Sequence, residues 1–82
     1  MPWKQSELAA KLEAAGWCLQ RRDKLEGDRE YRYLYVGYAG RPKLSYRCEG
    51  GRVEDDYVEG LKQTIEAYFQ RLPDERPQDW EW

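Results

Sequence analysis

The chain has 82 residues, enough for one domain whose core is only just large enough to fold alone. Charged residues make up 37% of it, the formal net charge is −2, and there is no apolar run long enough to span a membrane. It contains no histidine, which removes His-based triads, His metal ligands and the usual general acid–base group near neutrality. The sequence shows no basic stretch followed by an apolar one, as a signal peptide would have, and therefore predicts a soluble cytoplasmic domain.

Charge is distributed unevenly along the chain. Residues 17–52 carry nine basic and five acidic side chains, a net charge of +4. Residues 53–82 carry nine acidic and three basic side chains, a net charge of −6. Such asymmetry indicates either a surface for a partner or attraction between two parts of the same fold.

The first element in chain order is a helix predicted over residues 6–15. Leu8, Leu12 and Ala15 form an apolar stripe at helical spacing, and Gly16 is suited to the left-handed conformation that ends a helix. Alternation of apolar and polar residues over 17–22 then predicts a first strand.

A second strand is indicated by three tyrosines at every second position, Tyr31, Tyr33 and Tyr35. Successive strand residues point to opposite faces, so one face carries this tyrosine ladder and the other carries Arg32, Leu34, Val36 and Tyr38. Turn residues at 39–42 separate it from a third alternating strand predicted over 43–49, and two glycines follow that strand.

The second helix is predicted over residues 56–72. Its apolar positions recur at steps of three and four residues: Val58, Leu61, Ile65, Tyr68, Phe69 and Leu72. Pro73 ends the helix, and residues 73–82 have two prolines and no periodicity, which predicts an extended acidic tail.

These elements predict an α+β fold, a single α-β-β-β-α domain over residues 1–72 followed by the tail. Short connections favour a three-stranded antiparallel meander with both helices on one face. The simplest arrangement places the helices over Trp17, Leu19, Leu34, Val36, Leu44 and Tyr46.

The opposite face of this predicted sheet combines aromatic rings with cations. We expect it to bind a partner through Arg22, Tyr31, Tyr33, Tyr35, Lys43 and Arg47. The first hypothesis is a non-catalytic interaction module that binds a protein or a second copy of itself. The alternative is binding of RNA or single-stranded DNA, in which rings stack on bases and cations contact phosphates. In a third interpretation the tyrosine–cation neighbours only stabilise the sheet.

The tail ends with two tryptophans, Trp80 and Trp82, which alternate with acidic residues. Tryptophan is favoured as an anchor at interfaces, so the tail is a candidate docking peptide within its own chain or on a neighbouring molecule. A simpler interpretation is that one indole fills a gap in the small core. Either way, we expect at least one of these two side chains to be mostly buried.

Catalysis is not indicated by any motif. Ser6, Ser45 and Thr64 have no neighbouring base, and the pair Asp55–Asp56 is typical of a helix start. Cys18 and Cys48 are too few for a metal site or a disulfide framework. The sequence therefore predicts no enzyme activity, no cofactor and no small-molecule substrate.

Residues 6–22, a helix followed by glycine, an aromatic residue and a strand, resemble the start of HicA-type toxins. That resemblance implies a fold like that of double-stranded-RNA-binding domains. It also implies RNA cleavage by a histidine after the first strand. The corresponding stretch here, residues 23–26, has no histidine, which argues against nuclease activity.

Overall fold

The computed structural model describes residues 2–38 and 40–82 and shows a small α+β domain with two α-helices and an antiparallel sheet. The elements in chain order are β1 (Trp3–Lys4), α1 (Gln5–Ala14), β2 (Cys18–Lys24), β3 (Glu30–Val36), β4 (Leu44–Glu49), β5 (Arg52–Val53) and α2 (Asp55–Arg71). A short 3-10 helix at Pro73–Glu75 follows α2. Both predicted helices and all three predicted strands are therefore present, with ends shifted by one or two residues.

The sheet is larger than the expected three-stranded meander. β2, β3 and β4 pair antiparallel in chain order, and two short strands extend the sheet to the order β1-β5-β4-β3-β2. Gly50 and Gly51, both with positive φ, reverse the chain after β4 and bring Arg52 opposite Glu49. β1 then pairs with β5. Two-residue strands are too short to show the alternation from which strands are predicted.

Helix α1 ends as its sequence predicts. Gly16 adopts φ 106°, a conformation that only glycine takes at little cost. The amide of Trp17 donates to the carbonyl of Leu12 at 3.0 Å, so the chain turns back across the last helical turn. This turn places the indole of Trp17 in the core.

The buried face of the sheet is the opposite of the one expected for β3. Antiparallel register places Tyr31, Tyr33 and Tyr35 opposite the inward residues of β4, namely Cys48, Tyr46 and Leu44. Directly opposed residues share a face, so the tyrosine ladder points into the core. Leu34 and Val36, expected in the core, are only partly buried on the other face, and Leu19 is 44% exposed.

One hydrophobic core joins this sheet face to both helices. Leu8 and Leu12 of α1 and Ile65 and Phe69 of α2 belong to the same buried cluster as the inward residues of β3 and β4. The other face of the sheet, called here the open face, carries the alternate residues of the strands. Within residues 2–38 and 40–82, no helix is both long and apolar enough to cross a membrane.

Candidate interaction surface

Two of the three ladder tyrosines are core residues. Tyr33 is 8% exposed and stacks on Tyr46 with ring centroids 5.2 Å apart. Tyr35 is 1% exposed and stacks on the same ring at 5.8 Å. The expectation that these rings form an exposed binding face is therefore wrong, because Tyr46 and the two helices cover them.

Hydrogen bonds satisfy the buried hydroxyls of this stack. The hydroxyl of Tyr46 donates to that of Tyr35 at 3.3 Å and accepts from Nε2 of Gln5 at 3.2 Å. Burial disfavours the phenolate, which raises the pKa of both Tyr35 and Tyr46 above the ordinary value. The stack is thus held in its neutral form.

Tyr31 and Arg22, both predicted to bind a partner, lie together at the margin of the core. Tyr31 is half-buried, and the guanidinium of Arg22 lies 4.9 Å from its ring centroid, with Nζ of Lys24 at 5.6 Å. Arg22 pairs with Tyr33 across the sheet, so it lies on the helix side of the sheet rather than on the open face. It therefore lies on the opposite side of the sheet from Arg47, although both were predicted on one surface.

The open face is the largest uncovered part of the sheet, and it is basic. Its exposed centre is formed by Arg32 and Arg47, which lie directly opposite each other on β3 and β4. The register places five basic and three acidic residues on this face, namely Lys4, Arg21, Arg32, Arg47 and Arg52 with Asp23, Glu30 and Glu49. Ser45, which lies opposite Leu34, is exposed on the same face, and Lys43 is exposed immediately before β4.

Like charges placed directly opposite each other destabilise a sheet. Part of this repulsion is relieved, since Arg47 contacts Glu30 at 3.4 Å and Asp23 lies opposite Arg32 on the far side. Arg21 is engaged by Asp23 at 3.0 Å. The face nevertheless keeps an excess of positive charge around Leu34 and Val36, which are half-buried between the cations.

Arg32 is the central residue of the open face that the sequence-based site omitted. The sequence contains a signal that could have identified it. Burying Leu34 and Val36 would also bury the Arg32 side chain, and an unpaired charge is rarely buried. The position of this arginine thus indicates that the tyrosine ladder is the inward face.

Acidic residues are concentrated in α2 and in the chain after it. Helix α2 and the chain after it contain Asp55, Asp56, Glu59 and Glu66, followed by four more acids at 74, 75, 79 and 81. The +4 and −6 segments of the sequence contact each other where Arg41 lies 3.5 Å from Glu75. The basic residues of the open face belong to the strands, whereas α2 and the chain after it carry eight acidic residues.

The tail docks on its own chain, which confirms the expectation that at least one of its tryptophans is mostly buried. Trp80 is 8% exposed, donates from Nε1 to the carbonyl of Lys11 at 3.0 Å, and contacts the ring of Phe69 edge to face. Trp82 contacts Trp80 and Trp3 with ring centroids 5.0 and 6.3 Å away. These contacts place the tail against the helices, so it leaves the open face uncovered.

A buried arginine that sequence reasoning missed fixes the turn after β3. The side chain of Arg41 is 3% exposed, with its guanidinium 4.4 Å from the Trp17 ring centroid and 5.0 Å from that of Tyr68. Its Nη1 donates to the carbonyl of Ala15 at 2.9 Å, which caps the C-terminus of α1. Glu75 contacts Nη2 at 3.5 Å. Arg41 therefore connects α1, α2 and the chain after α2.

No cluster of three or more His, Cys, Asp or Glu side chains that could hold a metal ion occurs among residues 2–38 and 40–82. Comparison with protein-family models, with curated proteins and with solved structures gives no match for this chain. The resemblance of residues 6–22 to HicA-type toxins therefore stays a prediction.

Proposed function

We propose that this protein is a small non-catalytic interaction module that binds an acidic protein surface through the open face of its sheet. The observation that carries the proposal is the exposed pair Arg32–Arg47, which lies at the centre of a face with five basic and three acidic residues. An acidic partner would relieve the repulsion between these two cations. Leu34 and Val36 would supply apolar contact area between them.

RNA or single-stranded DNA is the rival partner. Binding without sequence preference usually combines a basic groove with aromatic rings on which bases stack. The burial of Tyr33 and Tyr35 removes two of the three ladder rings on which bases would stack, and Asp23, Glu30 and Glu49 on the open face repel phosphates. The distribution of rings and charges therefore favours a protein.

A second copy of the chain is one candidate partner, because α2 and the chain after it carry eight acidic residues. The two surfaces differ, so this contact would be heterologous, joining the open face of one copy to the helix side of the next. Sedimentation velocity over a range of concentrations measures it. If the protein sediments as a monomer at every concentration, the proposed partner is a different protein.

The test compares two variants with the same change in net charge. Arg32→Glu reverses a charge at the centre of the open face, and Arg71→Glu reverses an exposed charge at the end of α2. Proteins retained by the immobilised wild-type chain from a nuclease-treated extract are purified and titrated against all three proteins by calorimetry. We expect Arg32→Glu to weaken binding by about tenfold or more and Arg71→Glu to change it little.

Two results would contradict the proposal. One is equal affinity of the wild-type protein and Arg32→Glu for every purified partner. The other is micromolar binding of a labelled single-stranded RNA that falls steeply between about 50 and 200 mM salt, which is the signature of counterion release.

A further inference from the structure

The two edges of the sheet differ in length. β1 forms one edge and has two residues, whereas β2 forms the other and has seven. β2 pairs with β3 on one side, and no described element pairs with it on the other. All of its residues are exposed except Asp23, which is half-buried. An uncovered edge of this length presents main-chain donors and acceptors to which another strand can add.

The pairing of β2 shows which part of this edge is regular. A bulge between Leu19 and Arg21 interrupts the register with β3. Beyond it, Arg21 to Lys24 pair in unbroken register with Leu34 to Tyr31. Bulges and charges protect many sheet edges against unwanted pairing. Here they leave a regular stretch of four residues that an added strand could follow.

Charge selects the kind of strand that fits. β2 carries three basic side chains and one acidic side chain, a net charge of +2, and the cations lie on both faces of the edge. Arg21 is on the open face, while Arg22 and Lys24 lie over the Tyr31 ring on the helix side. A glutamate or aspartate on the helix-side face of an added strand would therefore meet Arg22 and Lys24, whereas on the open face Arg21 is already paired with Asp23.

A second copy of β2 fits poorly at this edge. In a fully overlapping antiparallel pair the central residue, Arg21, would lie opposite itself, and two strands of +2 charge would face each other. The short edge strand β1 would offer only two residues. The net charge of β2 therefore favours an occupant with a different, acidic sequence.

We infer that the outer edge of β2 binds an extended acidic segment of a partner protein, which adds to the sheet as a sixth strand. The inference deepens the proposed function and rests on the partner being a protein, because it names the kind of segment which that partner supplies. Main-chain hydrogen bonds would hold the segment along Arg21–Lys24. Acidic side chains contacting Arg22 and Lys24 would select it.

The test uses three capped hexapeptides with the intact protein. The first alternates glutamate with valine, the second replaces every glutamate with lysine, and the third repeats the first with N-methyl groups on alternate main-chain nitrogens. We expect the glutamate peptide to bind, the lysine peptide not to bind, and N-methylation to weaken binding about tenfold through lost main-chain hydrogen bonds. Amide exchange of residues 18–24 should slow with the glutamate peptide, while that of β1 should not change.

A pair of variants tests the charge. Arg22→Glu should weaken binding of the glutamate peptide about three- to tenfold, and Arg71→Glu, with the same change in net charge, should leave it unchanged. The inference is overturned if the glutamate peptide does not bind, if the N-methylated peptide binds equally well, or if exchange in β2 is unaltered. The proposed function is judged separately by Arg32→Glu with a purified partner, because Arg32 lies on β3 and has no part in the edge.

Discussion

The guanidinium of Arg41 lies 4.4 Å from the centroid of the Trp17 indole. It also donates a hydrogen bond to the carbonyl of Ala15, which lies two residues before Trp17. A single side chain thereby joins the turn after β3 to the end of α1. The arginine is favoured over lysine at this position because a planar guanidinium can stack on a ring and donate in its own plane at once. The contacts of Arg41 with Trp17 and Ala15 stabilise the fold on the helix side of the sheet and are separate from the open face.

Replacing Arg41 with lysine should lower the free energy of unfolding by about 1–3 kcal/mol, since it removes the stacked cation and a buried hydrogen bond. Urea denaturation followed by tryptophan fluorescence measures the loss. Arg71→Lys is the control, and at that exposed position we expect a change within about 0.5 kcal/mol. Equal stability of the two variants would show that the Arg41 contacts contribute little.

Gly16→Ala should destabilise the protein more than Gly40→Ala does. Both glycines have positive φ, so both substitutions introduce backbone strain of about 1 kcal/mol. A Cβ at Gly16 would also lie 2.5 Å from Nη1 of Arg41, whereas a Cβ at Gly40 would have no atom within 4 Å. Nη1 is held by Ala15 and cannot move away at little cost.

A double-mutant cycle separates these two effects. If contact with the arginine causes the extra loss, Gly16→Ala should cost less in an Arg41→Ala background than in the wild-type protein. Strict additivity of the two substitutions would assign the whole loss at Gly16 to its backbone conformation.

Trp80→Ala should lower the free energy of unfolding by about 1.5–3 kcal/mol, the range for a large apolar side chain that becomes fully buried. The loss arises because the Trp80 indole bridges α1 and α2 through Lys11 and Phe69. Glu81→Ala keeps the main-chain carbonyl that accepts from Lys11 and is the matched control. If truncation after Leu72 leaves the denaturation midpoint unchanged, the docked tail does not contribute to stability.

Stability should fall at alkaline pH because of the tyrosine stack. The folded protein raises the pKa of Tyr35 and Tyr46 above the ordinary 10.0, mainly by burial. Above that pH the unfolded chain loses protons that the folded chain retains, so the stabilisation is present below pH 10 and is lost as pH rises further. Denaturation midpoints measured on both sides of the ordinary pKa test this.

The matched variant is Tyr46→Phe. It should be slightly less stable at neutral pH, by about 0.5–1.5 kcal/mol, because two hydrogen bonds of its hydroxyl are lost. Its alkaline loss should be smaller than that of the wild-type protein, since one of the two groups no longer titrates. An unchanged alkaline slope would assign that loss to other groups.

Local signals in the sequence were sufficient for most elements of the fold. Helical spacing predicted α1 and α2 to within a residue or two, and alternation predicted β2, β3 and β4. Gly16 predicted the end of α1 because its left-handed conformation is a property of one residue. The inward position of Trp17, Leu44 and Tyr46 also followed from local pattern.

The tertiary structure decided which face of β3 is buried. Alternation divides a strand into two sets of residues but does not say which set points inward, and a shift of one residue in register exchanges them. Pairing of Tyr33 with Tyr46 placed the tyrosines in the core and left Arg32 on the open face, beside Arg47. Contacts between residues far apart in sequence also determine three other features, which no local pattern encodes. These are the pairing of β1 with β5, the packing of Arg41 on Trp17 and the docking of Trp80.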